Sequence, residues 1–242
     1  MKILISPAKT IRDFTYDGET YKPLYLDLSK VIVTEMKKLS FDELKKLCKT
    51  SDRLTMKSLL NYRDFAFDEY GIPALFAYHG LQYKAIHPLS FDQDDLLYAQ
   101  AHLRILSAVY GLLAPLDAIY PYRLEMQAPL SIHPYLNLYE FWKEPLKPEL
   151  MKETIIDLAS IEYSKVIHHE ELLANYVRIE FYELRNNQYK AISTMVKVAR
   201  GTMVHWLIKN KIIQKEQIKE FKELGYQLNT EKSNDQYYMF VR

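Results

Sequence analysis

HLRILSAVYGLLAPLDAIYPYRLEM, residues 102–126, decides how this chain is read, because two arginines, a glutamate and three tyrosines are interleaved there with an apolar run. Arg104 stands among Leu103, Ile105 and Leu106, and Arg123 and Glu125 bracket Leu124. Charged groups in such company must reach water in a cleft or pair with each other, since an unpaired buried charge is very costly. Either outcome makes the stretch a candidate site. A core strand whose arginine stems lie on apolar surface while their heads stay wet accounts for the same residues without one. Gly111 can turn the chain at positive φ, and Pro115 stops a preceding helix from running into Leu116 and Asp117. The order is therefore apolar strand or helix, tight turn, loop.

Upstream, Lys2 to Ser6 reads as a short, fully buried strand, a continuous Ile3, Leu4, Ile5 run stopped by Pro7. It leaves Lys9 and Thr10 just past the strand's carboxyl end, where open α/β sheets collect ligands. Leu24 to Leu39 has helical apolar spacing, and Ser40 with Glu43 has the form of a capping box opening a second helix. Ser51 caps a third helix over Asp52 to Phe65. Arg53 sits in its first turn, where the macrodipole disfavours a cation but free N–H groups suit an anion beside it. Pro73 to Tyr78 reads as a second buried strand, and Ser90 with Gln93 as a capping box before a helix reaching Ala101. The aspartates at 92, 94 and 95 belong to that helix start rather than to a metal.

Downstream, Asn137 to Trp142 begins an amphipathic helix interrupted by Pro145 and Pro148. Thr154 to Ala159, which contains Asp157, is a third strand, and Ser160 caps a turn carrying Glu162 and Tyr163. Tyr176 to Leu184 and Tyr189 to Met195 flank Arg185-Asn186-Asn187-Gln188, a hairpin signal. The last long helix spans Val196 to Lys209, with Lys197 and Arg200 sharing a face beside its apolar stripe. Tyr237 to Val241 is an edge strand. This mixed order predicts an α+β fold, one domain over 1–242 with a mixed sheet flanked by helices and a cleft between two lobes.

Thirty-two Lys and Arg against 31 Asp and Glu leave a formal charge of +1, so no global field draws the chain to nucleic acid and any such contact needs a local patch. The single cysteine, Cys48, on a surface helix, points to reducing cytosol; its lysine neighbours Lys45, Lys46 and Lys49 leave a redox-sensing thiol as the sharper alternative. The apolar run after Lys2 is too short for a signal peptide, and the twelve residues from Ile105 to Leu116 are too few to cross a bilayer. There is no G-x-S-x-G nucleophile motif, and His168, His169, Glu170 and Glu171 lack metal-ligand spacing. No cofactor or metal is expected, and no recognised catalytic motif is present.

What stands out is a set of cations on separate elements: Lys9, Arg53, Arg104, Arg123, Lys197 and Arg200. If they converge, they form a basic cleft for phosphate groups, with arginine's fork matching phosphate oxygens. Tyr110 and Tyr122 flank it as stacking candidates. Glu125, Asp117, Asp157 and Glu162 would orient the arginines or act as acid and base. Ordinary salt bridges from Arg104 and Arg123 to these carboxylates explain the same residues.

Taken together, ISPAK at 5–9, SDRL at 51–54, the 102–126 stretch, NLYEFW at 137–142, LAS-x-EY at 158–163 and K-x-ARG at 197–201 resemble the YaaA family of bacterial peroxide-stress proteins, in the family's order and over nearly the whole chain. The resemblance implies a cytosolic protein associated with limiting free intracellular iron, and DNA binding through a positive cleft and a helix-hairpin-helix element. Val109 to Leu113 would supply the hairpin, with Gly111 turning it against phosphates. This sequence departs from the family pattern at Leu113 (in place of a second glycine), Ala114, His205 and Leu81-Gln82.

The expectation is thus a cytoplasmic peroxide-stress protein that binds DNA, duplex and sequence-tolerant, through Lys9, Arg53, Arg104, Tyr110, Gly111, Tyr122, Arg123, Lys197 and Arg200. The alternative is an enzyme acting on a small phosphorylated or nucleotide-like anion, with Glu125 or Asp157 as base. An open groove favours the first; a closed pocket on the scale of a few hundred Å³ favours the second.

Overall fold

The computed structural model describes residues 1–67, 71–167 and 175–242. In chain order its elements are β1 (Lys2–Ile5), β2 (Thr10–Ile11), α1 (Leu26–Lys37), α2 (Phe41–Cys48), α3 (Asp52–Arg63), β3 (Ile72–Pro73), α4 (Ala74–Ala77), β4 (Tyr78–His79), α5 (Leu81–Ile86), α6 (Gln93–His102) and β5 (Leu103–Ser107). They continue as β6 (Gly111–Leu113), β7 (Ala118–Ile119), α7 (Leu138–Leu150), β8 (Ile155–Asp157), α8 (Ile161–Ser164), β9 (Tyr176–Arg185), β10 (Gln188–Lys190), α9 (Ser193–Lys209), β11 (Gln227–Leu228) and β12 (Tyr237–Val241). His168, His169, Glu170 and Glu171 lie outside the described residues.

The main sheet has the order β11-β12-β9-β8-β1-β5-β6, with β10 hairpinned onto β9. From β12 to β5 the strands are parallel, while β11 and β6 pair antiparallel at the two ends. This is the expected mixed sheet flanked by helices. Ile3 faces Leu103 on one side and Ile156 on the other, and all three are fully buried. A parallel strand covered on both faces needs a continuous apolar run, and the Ile3-Leu4-Ile5 triplet supplies one. The chain leaves β1 to reach its neighbour β5, then returns to β8 on the opposite side. Its connections therefore diverge beside β1, at the carboxyl edge where such sheets open a crevice.

Local chemistry explains most boundaries. The Ser40 hydroxyl accepts from the Glu43 N–H while the Glu43 carboxylate accepts from the Ser40 N–H, so α2 begins where the capping box places it. Asn186 and Asn187 both adopt positive φ, at 49° and 57°, which is what a two-residue turn between right-twisted strands requires. Pro145 and Pro148 do not interrupt α7: burial of Leu138, Phe141, Trp142, Leu146 and Leu150 offsets the roughly 3 kcal/mol each proline costs.

Elsewhere the structure corrects the sequence reading. Pro73 to Tyr78 is not a strand; Ala74–Ala77 form one helical turn between two short strands, because an unbroken apolar run carries no period to tell the two apart. The box opening α6 is Asp92 with Asp95, not Ser90 with Gln93. The α9 helix begins at Ser193, inside the segment read as the hairpin's second strand. β12 is an interior strand, since β11 takes the edge.

The helix-hairpin-helix expected near 102–126 is instead a strand, turn and strand. Pairing of Leu103–Ile105 with β1 draws the segment into the sheet, and β6 folds back with Gly111 opposite Ser107. The Ser107 hydroxyl accepts from the Tyr110 N–H at 3.0 Å, closing the turn. Gly111 has φ +70°, and a β-carbon there would stand 2.5 Å from the Trp142 ring, so glycine is required on both counts. The turn is buried, so its N–H groups do not face solvent phosphates.

Candidate functional site

Ser6 directly follows β1, and Ser160 lies between the adjacent strand β8 and α8. The Ser160 N–H donates to the Ser6 hydroxyl at 2.8 Å, and the two hydroxyls lie 3.1 Å apart. Above them a cavity of about 310 Å³ opens at the carboxyl edge of the sheet. Its aromatic wall is held rigidly: the Tyr83 hydroxyl donates to the Ser6 carbonyl at 3.0 Å, and the Tyr122 hydroxyl lies 2.7 Å from that of Tyr78 and 2.8 Å from that of Ser107.

One side of the cavity carries paired charges. Lys9 Nζ is 2.6 Å from Glu125 Oε1, and Arg123 Nη2 is 3.9 Å from the same oxygen. Arg123 Nη1 also donates to the Lys9 carbonyl at 2.9 Å, while its own carbonyl accepts from the Cys48 thiol and the Tyr62 hydroxyl. Glu162 stands beside them and accepts a long 3.4 Å bond from the Gln127 N–H. Burial pushes its carboxyl above the usual range; that N–H opposes the rise and the neighbouring Glu125 charge adds to it.

The other side is formed by α9 and α5. Lys197 and Arg200 lie on one face of α9, and neither has a hydrogen-bond or carboxylate partner among the described residues. Arg200 Nε is buried and unpaired. Burial, and then the charge of Arg178, bring its guanidinium down to about 10, so it remains a cation at neutral pH. Facing it, Gln82 is 8% exposed and its amide Nε2 is also buried without a partner. A buried donor left unpaired costs about 1–3 kcal/mol, so several around one cavity are a strong chemical signal.

The chain matches the family described as peroxide stress protein YaaA over residues 1–232. It belongs to that family. Among its relatives is a UPF0246 protein of Desulfitobacterium hafniense, 40% identical over 248 residues that take in all of this chain and 98% of the relative. UPF0246 proteins of Clostridioides difficile and Legionella pneumophila are 36% and 37% identical, with this chain covered in full and the relatives over 100% and 99% of their lengths. The YaaA resemblance carried by the ordered motifs is thereby established for the whole fold.

Of the site residues expected for this YaaA-family chain, Lys9, Tyr122, Arg123, Lys197, Arg200 and the alternative base Glu125 line the cavity together. The other five lie elsewhere. Arg53 is exposed on α3. Arg104 turns away from the cavity, donating from Nη1 to the carbonyls of Gln100 and Leu103 at 2.8 and 2.7 Å. Tyr110 is in the core, its hydroxyl accepting from the Tyr120 N–H, and Gly111 packs on Trp142. Asp157 is fully buried, with its oxygens taken up by the Ala159 N–H, Ser164, Tyr176 and Arg178.

Sequence reasoning named Gln82 only as a departure from the family pattern and Gly201 only within the K-x-ARG motif, and made neither of them, nor Tyr83, a site candidate. Gln82 became visible only through the close crossing of α5 and α9, for which the sequence has no local signal. Cys48 is buried rather than on a helix surface, and burial pushes its thiol up to about 11, opposite to the effect expected of the nearby lysines. Among the described residues no helix is long and apolar enough to cross a membrane, and no three His, Cys, Asp or Glu side chains cluster as a metal site.

Proposed function

We propose that this YaaA-family protein acts in the peroxide-stress response by binding DNA in its cationic cavity, which receives one unstacked nucleotide rather than lying along a duplex groove. The observation that carries this is the cation pair of Lys197 and Arg200, without a carboxylate partner among the described residues, on a cavity of about 310 Å³. That volume is on the few-hundred-Å³ scale of a small-ligand pocket and not of an open groove, so the DNA reading is narrowed to one unstacked nucleotide. Lys9 and Lys197 are exposed at the rim, placed to meet flanking phosphates. In this reading the protein works in the cytoplasm, and its effect on free iron follows from what it binds.

A second reading is favoured by the two carboxylates Glu125 and Glu162 in the same cavity: a free phosphorylated or nucleotide-like molecule is bound, with one of them moving a proton.

Titration with duplex DNA, a single strand and a mononucleotide at two salt concentrations separates these. Binding of strands with a salt slope that falls by up to about 0.7–0.9 in Arg200→Ala or Lys197→Ala supports the DNA reading. Tight, length-independent binding of the mononucleotide supports the second. Arg53→Ala and Arg104→Ala should change neither. Absence of all binding, or equal loss in the Arg53 variant, rejects the cavity as the site.

A further inference from the structure

The two sides of the cavity differ in the carboxylates they carry; buried donors without a partner stand on both, Arg123 Nε on one and Arg200 Nε and Gln82 Nε2 on the other. On the Lys9 side, Glu125 already sits 2.6 Å from Lys9 and within 4 Å of Arg123, and Glu162 adds a further carboxylate. Two cations there face two carboxylates, so an incoming phosphate gains little and meets Glu162. On the α9 side Lys197 and Arg200 have no carboxylate partner among the described residues, and Gln82 adds a neutral donor buried over nine-tenths of its surface and unbonded at Nε2. Asp157 and Glu180 act on the Arg200 guanidinium without contacting it, and the charge of Arg178 opposes them. Glu125 and Glu162 come from the segment after β7 and from α8, and Gln82, Lys197 and Arg200 from α5 and α9, so different elements bring the carboxylates and the carboxylate-free donors to one cavity.

Resting on the reading that this cavity binds a nucleotide unit, we infer that the cavity is polarised, seating a phosphate on Gln82, Lys197 and Arg200 and an amino-bearing base against Glu162. Gln82 is the neutral member of the phosphate seat: it donates without adding a third charge whose desolvation would have to be offset. Glu162 accepts from the backbone at Gln127, at 3.4 Å, and at Met126, and its carboxylate keeps lone pairs for a further N–H donor. The ligand class is an adenine- or cytosine-like nucleotide, free or at the end of a strand. A carbonyl in place of the exocyclic amine would set an acceptor against the carboxylate and leave only the ring N1–H of hypoxanthine to meet it.

The test is calorimetric titration of the full chain with AMP, IMP and adenosine, and with short single-stranded oligomers ending in deoxyadenosine or deoxyinosine. AMP is expected to bind about tenfold more tightly than IMP, as losing a hydrogen bond to a charged acceptor implies, and adenosine far more weakly than either. The same preference confined to the oligomers assigns the ligand to DNA; shown by AMP alone, it assigns a free nucleotide. Gln82→Ala should weaken AMP and IMP by the same factor, with Gln82→Met as a variant that keeps the packing. Glu162→Gln should abolish the AMP preference while leaving the phosphate requirement. If phosphate-bearing ligands bind but AMP and IMP are equal, or both Gln82 variants bind as the parent does, the polarity is overturned and the nucleotide site stands. If no nucleotide or oligomer binds the unaltered protein, the nucleotide site falls, and the polarity with it.

Discussion

A β-carbon at position 201 would stand 2.2 Å from the carbonyl oxygen of Gln82 and 2.7 Å from the Ala85 side chain, so α9 and α5 cross as closely as they do because residue 201 is glycine. The crossing sets Arg200 beside Gln82. Replacing a mid-helix glycine by alanine normally stabilises by about 1 kcal/mol. Here the contact is with backbone, which cannot rotate away, and overpacking of this kind costs about 1–3 kcal/mol. Gly201→Ala should therefore lower the urea midpoint and weaken ligand binding together. A variant more stable than the parent would show that the helices part without cost.

Asp157 is expected to support the fold and not to act as a base. Its carboxylate receives Arg178 Nη1 at 2.6 Å and the Ser164 hydroxyl at 2.6 Å, on a side chain with no solvent exposure. Asp157→Ala leaves Arg178 buried with the Ser164 hydroxyl at 2.6 Å and the Glu180 carboxylate at 3.4 Å, and should destabilise by about 3–5 kcal/mol. Glu125→Gln breaks a pair whose lysine is largely exposed, and should cost less than about 1 kcal/mol. Chemical denaturation of the two variants measures the contrast; similar losses would refute it.

Asp117 gives stability an unusual slope with pH. Burial pushes its carboxyl up to about 7, against the bond it accepts from the Ala114 N–H at 2.8 Å and the charge of Arg104. The folded state therefore holds a proton that the unfolded chain releases near pH 4. Between about pH 4 and 7 the folded form binds more protons, so this group's contribution falls as pH rises and levels off above 7. Asp117→Asn, which keeps an acceptor for Ala114, should flatten that part of the profile and raise stability most at pH 8. An unaltered profile in this variant would assign the slope to other groups.

Cys48 should be inert. Its thiol is buried, donates to the Arg123 carbonyl at 3.1 Å, and is pushed up to about 11, so little thiolate exists at neutral pH. Native protein should resist alkylation at pH 7.5 and react fully once unfolded in urea. Rapid native labelling, or loss of ligand binding after mild peroxide that Cys48→Ser prevents, would restore the thiol as a sensor.

The sequence revealed those parts of the fold whose cause is local. Ser40 and Glu43 announce a helix start, and Ile3 to Ile5 announce a strand covered on both faces, because caps and apolar runs act over a few residues. It failed where a distant partner decides. The 102–126 stretch is a strand and not a helical hairpin because β1 pairs with it a hundred residues away. For the cavity, Lys9, Arg123, Lys197 and Arg200 were recognisable as cations lacking a helical i,i+4 explanation. Arg104 looked the same on paper, yet neighbouring carbonyls satisfy it. Gln82 carries no charge to attract notice, and its importance depends on a glycine on another helix.

The place of β1 also bears on how the chain is made. Ile3, the sheet's middle, finds its two partners about a hundred and about a hundred and fifty residues later, at Leu103 and Ile156. During synthesis the sticky first strand must wait, unmatched, until most of the polypeptide has left the ribosome, so assembly should be slow and dependent on holding factors at physiological temperature.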